Sequence, residues 1–425
     1  MRHNFNSESS ISGLPRSIWA LGFVSMLMDI SSEMIHSLLP VFLVSGLGIS
    51  ATALGLLEGV AEGVVNITKT FSGVLSDWLG KRKALALIGY GMAALTKPLF
   101  PLANSFGVVF VARLVDRVGK GVRGAPRDAL VAHLAPPQVR GASYGLRQSL
   151  DSIGAFIGPL GGISLMLVFA GDFRKVFWVA VIPAFVSVAL LALFVHEPPD
   201  SAGPGRLRAQ LHWRELRYFP AAFWFVVAIG AVFTLARFSE AFLILRASNL
   251  GLRNDYVPLA LVVMNIVYAG SSYPAGRLSD RVDRRLVLAL GAIALVVSDV
   301  LLARAFGIGG LIVGICFWGL HMGFSQGLLA TLVADAAPTE RRGSAFGIFG
   351  LVSGITLLVA SLLAGRLWDR IGASATFYAG ACFAAFGALG LLRQIGKHDR
   401  PVGAANNLRR SSFLSSPADL SRDHS

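Results

Sequence analysis

Three ionisable residues share one face of the first apolar segment of the chain. Asp29, Glu33 and His36 are spaced i, i+4 and i+7, so a helix places them on the same side. An ionisable group at the centre of a bilayer costs ~3 kcal/mol or more and usually marks a substrate or ion pathway. We therefore predict that this face takes part in proton coupling. Two alternatives stay open, because carboxylate and imidazole also suit a divalent transition metal and His36 can be an ordinary polar residue near the outer end of the segment.

Further apolar segments carry similar stripes of charge. The second holds Glu58 and Glu62 one turn apart, and the fifth holds Arg147 and Asp151 one turn apart. Carboxylates that exchange arginine partners during a conformational change can load and release protons, and static structural ion pairing is the alternative. Glu33 and Glu62 lie mid-segment and are the leading predicted proton carriers. The whole predicted coupling network consists of Asp29, Glu33, His36, Glu58, Glu62, Lys69, Arg113, Asp116, Arg117, Lys120, Arg147 and Asp151.

Composition places these charges in a membrane protein. Of the 425 residues, 54% are hydrophobic and 15% charged, and the mean hydropathy is +0.64. A soluble globular protein of this size is far less apolar. Cys316 and Cys382 both lie in apolar segments, which excludes a disulfide framework and a paired-cysteine metal site.

Hydropathy predicts twelve transmembrane helices, six on each side of a proline- and glycine-containing linker. The predicted spans are 17–46, 52–76, 84–103, 106–126, 143–170, 174–195, 220–246, 256–278, 286–306, 308–334, 344–366 and 373–394. The predicted domains are an N-terminal segment (1–15), a six-helix bundle (16–196), a linker (197–219), a second six-helix bundle (220–395) and a disordered tail (396–425).

Lysine and arginine mark cytoplasmic loops in membrane proteins. One set of alternate loops and termini holds twenty-one of these residues and the other set holds seven. Both termini and the linker are therefore predicted to be cytoplasmic, in a protein of the cell inner membrane. This distribution also accounts for the net charge of +14 without a nucleic-acid partner.

An internal repeat relates the two predicted bundles. The string GVLSDWLGKRK begins at Gly73, and GRLSDRVDRR begins 203 residues later at Gly276. A second pair of strings, RGASYG and RGSAFG, begins at Arg140 and Arg342. A six-helix unit has therefore been duplicated, and parallel halves with substrate held between them are a usual design of secondary transporters.

The intramembrane charges do not follow this repeat. At the same offset Asn265 stands opposite Glu62 and Ala236 opposite Glu33, while Asp299 is an extra charge in the ninth span. We therefore expect the first half to handle coupling and the second half to line the substrate side. The predicted substrate-lining residues are Arg237, Glu240, Asn265, Tyr268, His321, Phe324 and Gln326.

The paired loop strings at 73–83 and 276–285 resemble the cytoplasmic-loop motif of the major facilitator superfamily. The glycine-rich string at 154–162 resembles its span-five antiporter motif, which is typical of proton-coupled exporters. The strings at 29–36, 113–121 and 125–129 resemble those of a prokaryotic branch of this superfamily, whose substrates are poorly defined. The resemblance covers about residues 15–395. It implies an all-α membrane protein with twelve transmembrane helices in two pseudo-symmetric six-helix bundles, present as a monomer.

In this superfamily the loop motif holds the cytoplasmic gate shut in the outward-open state. The matching residues here are Gly73, Asp77 and Arg82, with Asp280 in the second copy. The alternative for the lysine and arginine run at 81–83 is that it only fixes topology.

In span five, Gly158 and Pro159 are predicted to allow bending or gating, with tight helix packing as the alternative. The superfamily's R-x-x-Q-G pattern in span four matches Arg113, or Arg117 in a shifted register, and neither register restores the full pattern. The proton role of either arginine therefore stays open.

The resulting functional prediction is a proton-coupled secondary transporter that exports small organic molecules. The alternatives are an importer of a polar metabolite or of iron, metal or metal chelates, and a membrane sensor on a transporter scaffold. No HExxH, GxSxG or GxxxxGK[ST] string is present, so enzymatic activity is not expected. The predicted partners are a small-molecule substrate, protons and the lipid bilayer, without a cofactor.

Overall fold

The computed structural model describes residues 14–197, 219–338 and 342–398, and within them it contains helices and turns but no strand. The long helices are α1 Arg16–His36, α2 Ala51–Leu79, α3 Arg82–Thr96, α4 Phe106–Leu134, α5 Arg140–Val168, α6 Phe173–Phe194, α7 Ala221–Ala236, α8 Leu259–Ser279, α9 Arg284–Arg304, α10 Ile308–Ala336, α11 Arg342–Arg370 and α12 Ala373–His398. Shorter helical segments are Leu39–Val41 and Phe42–Gly46 after α1, Leu99–Leu102 after α3, Pro137–Val139 before α5, Ala241–Asn249 after α7 and Asn254–Tyr256 before α8. The all-helical fold class is confirmed. Most of the predicted N-terminal segment, linker and tail lies outside the described residues.

Local signals in the sequence set several helix boundaries. The Ser50 hydroxyl caps α2 by accepting a hydrogen bond from the Ala53 N–H at 3.2 Å, and α2 ends at Gly80 with a left-handed φ of 63°. The Asp172 carboxylate caps α6 by accepting from the N–H groups of Arg174 and Lys175. These boundaries place loops before and after α2 and before α6, where the predicted spans change direction.

Ten helical spans of the described chain are long and apolar enough to cross a membrane. Helices α2 and α4 are outside this set although each has 29 residues, or ~44 Å of helix. They are also the helices that carry most of the intramembrane charges, and several of those charges, such as Glu58 on α2 and Arg113 on α4, are fully buried. Their low hydropathy therefore comes from charged residues that are buried inside the protein. Both helices are still long enough to span a bilayer.

The two halves repeat the same pattern of helix packing. In the first half α1 packs on α5 and α6, α4 packs on α2 and α3, and α3 contacts α6. In the second half α7 packs on α11 and α12, α10 packs on α8 and α9, and α9 contacts α12. This correspondence supports the duplication of a six-helix unit.

The main contacts between the halves also form an equivalent pair, α2 with α11 and α5 with α8. We call the end of the bundle that carries Leu14 and His398 the terminal end, and the opposite end the far end. At the far end, segment Leu39–Val41 contacts segment Ala241–Asn249, and one hydrophobic cluster contains residues of both halves. The halves are therefore closed against each other at the far end.

Glycines allow the close approach of α2 and α11. A methyl group on Gly55 would lie 2.1 Å from the carbonyl oxygen of Ser361, and one on Gly365 would lie 2.3 Å from that of Ala51. Small residues at such an interface let two backbones pack directly against each other. The contact continues inward to Asn66, which approaches Gly350.

Candidate functional site

A cavity of about 240 Å³ lies between the two halves. Its lining comes from α1, α2, α4 and α5 on one side and from α7, α8 and α11 on the other. Only Ala155, Phe238 and Leu357 among the lining residues are apolar. The polar lining residues are Glu33, His36, Glu58, Glu62, Arg117, Lys120, Arg237, Ser239, Glu240 and Asn265.

Two interrupted helices meet at this cavity. Helix α1 ends at His36, and α7 ends at Ala236 before a non-helical stretch at 237–240. The interruptions are equivalent, because the 203-residue offset of the repeat relates His36 to Ser239. Broken helices at the midplane between repeats are where transporters of this architecture bind substrates and coupling ions.

The break in α7 is held by hydrogen bonds to serine hydroxyls. The Ser239 N–H donates to Ser361 Oγ on α11 at 3.2 Å, and the Ala241 N–H donates to Ser239 Oγ at 3.3 Å. All four residues of the break line the cavity. Movement of α11 relative to α7 would therefore reposition the charges of Arg237 and Glu240.

His36 lies between two carboxylates. Its Nδ1 is 3.4 Å from Glu33 Oε2, and its Nε2 is 3.5 Å from Glu58 Oε2. A neutral imidazole has a single N–H, whereas an imidazolium can donate to both neighbours. Gain or loss of a proton here would change which carboxylate His36 holds.

The carboxylates of α2 are paired with arginines of α4. Arg113 donates to Glu58 Oε2 at 3.0 Å, and both side chains are fully buried. Arg117 lies 3.4 Å from Glu62 Oε1, and the Glu62 side chain is 36% exposed. Glu58 is therefore locked in a buried pair, and Glu62 is the carboxylate of α2 that is open to the cavity.

A second buried pair extends this arrangement into the first half. Lys97 Nζ donates to Asp116 Oδ1 at 2.9 Å and to Ser32 Oγ at 3.0 Å. Asp116 Oδ2 lies 3.8 Å from Arg117 Nε, which links Lys97 to the cavity. Among the described residues these ion pairs form two chains that both reach the cavity, one from Glu33 through His36 and Glu58 to Arg113 and one from Glu62 through Arg117 and Asp116 to Lys97, and we call the two together the cavity cluster. Its members are Glu33, His36, Glu58, Glu62, Lys97, Arg113, Asp116 and Arg117.

Three charges that line the cavity have no ion-pair partner within 4.0 Å among the described residues. They are Lys120 on α4, and Arg237 and Glu240 at the break in α7. Charged groups without a protein partner at a cavity surface are available to a ligand. The first half therefore presents mostly paired charges, and the second half presents free ones.

Glycines of α5 position the charged face of α1. A methyl group on Gly158 would lie 2.7 Å from Glu33 Cβ, and one on Gly154 would lie 3.1 Å from Asp29 Cβ. Helix α1 therefore rests directly on the glycine-rich face of α5, which fixes the depth of Glu33 in the cavity. Pro159 is also buried in this helix.

The sequence of the chain matches the family model described as Major Facilitator Superfamily over residues 21–246 and 239–420. The chain belongs to the Major Facilitator Superfamily. An uncharacterised MFS-type transporter of Methanocaldococcus jannaschii is 32% identical over 387 residues, which cover 89% of this chain and 95% of that relative. The quinolone resistance protein NorA of Staphylococcus aureus is 24% identical over 222 residues, which cover 51% of this chain and 55% of NorA.

Solved structures share the fold of this superfamily member. A crystal structure of a POT family transporter, in complex with a thioalcohol-conjugated peptide, superposes with a TM-score of 0.76 at 12% identity. The match covers 91% of this chain and 97% of the transporter. The chain is therefore a multi-pass membrane protein of a transporter family whose members carry small-molecule substrates.

The predicted substrate-lining residues of this MFS protein divide into three groups. Arg237, Glu240 and Asn265 line the central cavity. Tyr268 lines a second cavity of about 350 Å³ between α8 and α10 at the terminal end. Its hydroxyl donates to Gln326 Oε1 at 3.1 Å, which places both residues on the way from the central cavity to that end.

His321 and Phe324 lie elsewhere. His321 is 1% exposed, its Nδ1 is 2.9 Å from the Gly291 carbonyl oxygen, and its ring stacks on Phe233. Phe324 packs against Gly291 of α9. Both side chains face the interior of the second half, so the structure places them away from the cavity that they were predicted to line.

The predicted charge network also falls into separate parts. Arg147 and Asp151 are 2.6 Å apart on α5, and Asp151 lies 3.7 Å from Arg127 of α4. Arg127 and Asp128 were not predicted, and together with Arg147 and Asp151 they form a cluster nearer the terminal end that we call the arginine–aspartate cluster.

Asp29 and Lys69 belong to neither set of ion pairs in the described residues. Asp29 packs on Gly154, one turn from Glu33 in the direction of the terminal end. Lys69 is exposed, and the carbon chain of its side chain packs on Gly124. The single network predicted along the first half is therefore two clusters and three separate charges, since Lys120 also has no ion pair among the described residues.

The predicted gate residues lie at the terminal end. Gly73 faces Ala125 of α4, and Asp280 is exposed beside the second cavity. The N–H of Arg82 donates to Glu197 Oε1 at 2.9 Å, so Glu197 caps the start of α3. The side chain of Asp77 lies outside the described part of the chain.

The metal alternative for α1 has no geometric support. No three His, Cys, Asp or Glu side chains converge as metal ligands in the part of the chain that the structure describes. Glu33 and His36 line the cavity, whereas Asp29 packs against α5.

Proposed function

We propose that this MFS protein is a proton-coupled secondary transporter that exports small organic molecules by alternating access. The observation that carries the proposal is the cavity between the halves. It lies at two broken helices and combines ion-paired carboxylates from one half with free charges from the other. Such a site can bind a charged solute and a proton in turn, as exchange of one for the other requires.

The free charges favour a polar substrate with an anionic group. Lys120 and Arg237 face the cavity from opposite halves without ion pairs, so a carboxylate or similar anion can bind both. Glu240 beside them can accept a cationic or hydrogen-bond-donating group of the same molecule. The volume of about 240 Å³ is below the ~300 Å³ at which sites for drug-sized ligands begin, which favours a small substrate.

In this proposal the coupled proton binds to carboxylates of the first half. Glu33 and Glu62 are the partly exposed carboxylates of the cavity cluster, with 23% and 36% of their side chains accessible. Each has one basic partner, His36 or Arg117. When deprotonated, either carboxylate can bind a cationic or hydrogen-bond-donating group of the substrate, and protonation removes that charge, so that proton and substrate bind in turn.

Alternating access is supported by the difference between the two ends of the bundle. The far end is closed by the glycine contact of α2 with α11, whereas the second cavity lies at the terminal end inside the second half, between α8 and α10. The prediction of cytoplasmic termini would make this an inward-facing conformation. Rocking of the halves about the broken helices would then expose the central cavity to the far side.

The direction of export is supported by the similarity to the quinolone resistance protein NorA. The alternative, import of a polar metabolite, would use the same cavity. The test uses proteoliposomes that contain the purified protein and a pH-sensitive dye. Small carboxylic acids are added in pairs with their neutral amides, with the pH gradient imposed in either direction. The proposal predicts proton movement with the acids, little with the amides, and substrate accumulation against the direction of proton flow.

Two variants sharpen this test. Arg237→Gln and Lys120→Gln should weaken the response to the acids about tenfold or more, because each removes a charge-assisted hydrogen bond. Asp335→Asn is the control, since Asp335 pairs with Arg284 at the exposed terminal end. Equal responses to acids and amides in the wild-type protein would contradict the proposed substrate chemistry, and substrate movement that is indifferent to pH would contradict proton coupling.

A further inference from the structure

Asp299 on α9 is a buried carboxyl group outside the cavity. Its side chain is 0% exposed, and neither carboxyl oxygen has a hydrogen-bond partner among the described residues. Buried charges in proteins are normally paired, because an isolated carboxylate in an apolar environment is strongly unfavourable. Side-chain packing alone does not explain why an unpaired carboxyl group is buried at this position.

A second unpartnered acceptor lies beside it. Helix α7 ends at Ala236, so the Ala236 carbonyl lacks the N–H donor that a continuing helix would supply one turn later. No backbone donor to this oxygen is present among the described residues. A methyl group on Gly380 of α12 would lie 2.5 Å from Asp299 Oδ2 and 3.1 Å from the Ala236 oxygen. The two acceptors therefore border the same small gap, which exists because residue 380 is glycine.

Other polar groups near this gap are already engaged. Ser298 donates to the Gly314 carbonyl at 2.7 Å, and His321 of α10 pairs with the Gly291 carbonyl. Arg304, further along α9, donates to the Tyr378 hydroxyl of α12. Arg237, next to Ala236, faces the central cavity. No described cation is therefore placed to neutralise Asp299.

We propose that Asp299 is a proton-binding site of the C-terminal half, separate from the cavity cluster, whose bound proton lies between its carboxyl group and the Ala236 carbonyl. A protonated carboxyl is neutral and can donate one hydrogen bond, which satisfies both orphaned acceptors with a single proton. Loss of the proton would leave a bare carboxylate facing a carbonyl oxygen. Ala236 is the last helical residue before the break in α7. Binding or loss of this proton would therefore affect the position of the break, whose residues line the cavity.

Infrared spectroscopy of the purified protein tests the proposal without a substrate, so it is independent of the proposed transport function. At neutral pH the wild-type protein should show the C=O stretch of a protonated carboxylic acid, shifted on exchange into deuterated water. Asp299→Asn should lose this band, since asparagine keeps the shape and can still donate to Ala236. Asp29→Asn and Glu33→Gln, which alter carboxyls of the first half, should keep it.

Two outcomes would overturn the proposal. One is a wild-type protein without a protonated carboxyl band at neutral pH, which needs no variant and so does not depend on whether Asp299→Asn folds. The other is a band of equal area in the wild-type protein and in Asp299→Asn. Gly380→Ala provides a further check, because its methyl group would enter the gap and should shift the position of the band.

Discussion

Asp369, in the last turn of α11, caps the first turn of α2 in the other half of the molecule. Its carboxylate accepts hydrogen bonds from the Ala51 N–H at 3.0 Å, the Thr52 N–H at 2.8 Å and the Thr52 hydroxyl at 2.6 Å. A carboxylate at a helix N-terminus satisfies free N–H groups and interacts favourably with the helix dipole. This contact closes the far end of the bundle, just beyond the glycine interface of α2 with α11.

Replacement of this carboxylate should loosen the far end. In Asp369→Asn the charge-assisted hydrogen bonds are lost, which should cost ~1.5 to 3 kcal/mol of the closed conformation and shift the equilibrium at least tenfold. Spin labels at positions 175 and 306, which lie on the two halves at the far end, should show a larger population of long distances. Asp335→Asn, at the other end, should leave the distance distribution unchanged, and an unchanged distribution in Asp369→Asn as well would contradict a role in closure.

The glycine interface makes a separate prediction. In Gly55→Ala the new methyl group would meet the Ser361 backbone, so the far end should open and the melting temperature should fall. Gly91→Ala is the matched control, because nothing lies within 4 Å of its added methyl group. Alanine favours the helix by up to ~1 kcal/mol over glycine, so the control should be neutral or slightly stabilising. If both variants behave alike in thermal unfolding, close packing at Gly55 is unimportant.

The buried pair of Lys97 and Asp116 should matter more for the stability of the folded protein than for proton coupling or substrate binding. Lys97→Met leaves Asp116 with only the longer 3.8 Å contact to Arg117 inside the first half and should destabilise the protein by ~3 to 5 kcal/mol. The double variant with Asp116→Leu removes both charges and should recover most of this loss. Thermal unfolding in detergent measures both effects. A double variant as unstable as the single one would show that the pair has a role beyond mutual neutralisation.

Long apolar segments and the 203-residue repeat allowed the helices and their duplication to be predicted, because both depend on local composition. The break in α7 could not be predicted in this way. The residues Arg237 to Glu240 contain no glycine or proline, and the break is stabilised by Ser361 from a distant helix. A contact of this kind leaves no local signal.

The charged faces were predicted more accurately than their partners. Helical spacing placed Glu33 and His36 on one side of α1, and the structure brings both to the cavity. Lys97 was missed, because it lies at the end of α3 beside Pro98 and shares no periodicity with Asp116. His321 was misplaced because α10 is apolar on nearly every side, so its sequence does not indicate which face meets the cavity.

The cavity residues that were not predicted have no distinctive sequence pattern either. Phe238 and Ser239 become lining residues only because α7 is interrupted, and Ala155 and Leu357 only because α5 and α11 pass beside the cavity. Single apolar or small residues of this kind are common throughout a membrane protein. Only the packing of the two halves identifies them.

We propose that Glu62 and Glu33 carry the coupled proton, and comparison of gradient-driven transport with substrate exchange distinguishes this role from substrate binding. Proteoliposomes containing wild type, Glu62→Gln, Glu33→Gln or the control Asp335→Asn are assayed with the carboxylic acid that gives the strongest wild-type response. We expect that Glu62→Gln or Glu33→Gln still exchanges labelled for unlabelled substrate but no longer accumulates it in response to a pH gradient. Accumulation at the wild-type level in both glutamine variants would show that neither glutamate carries the coupled proton.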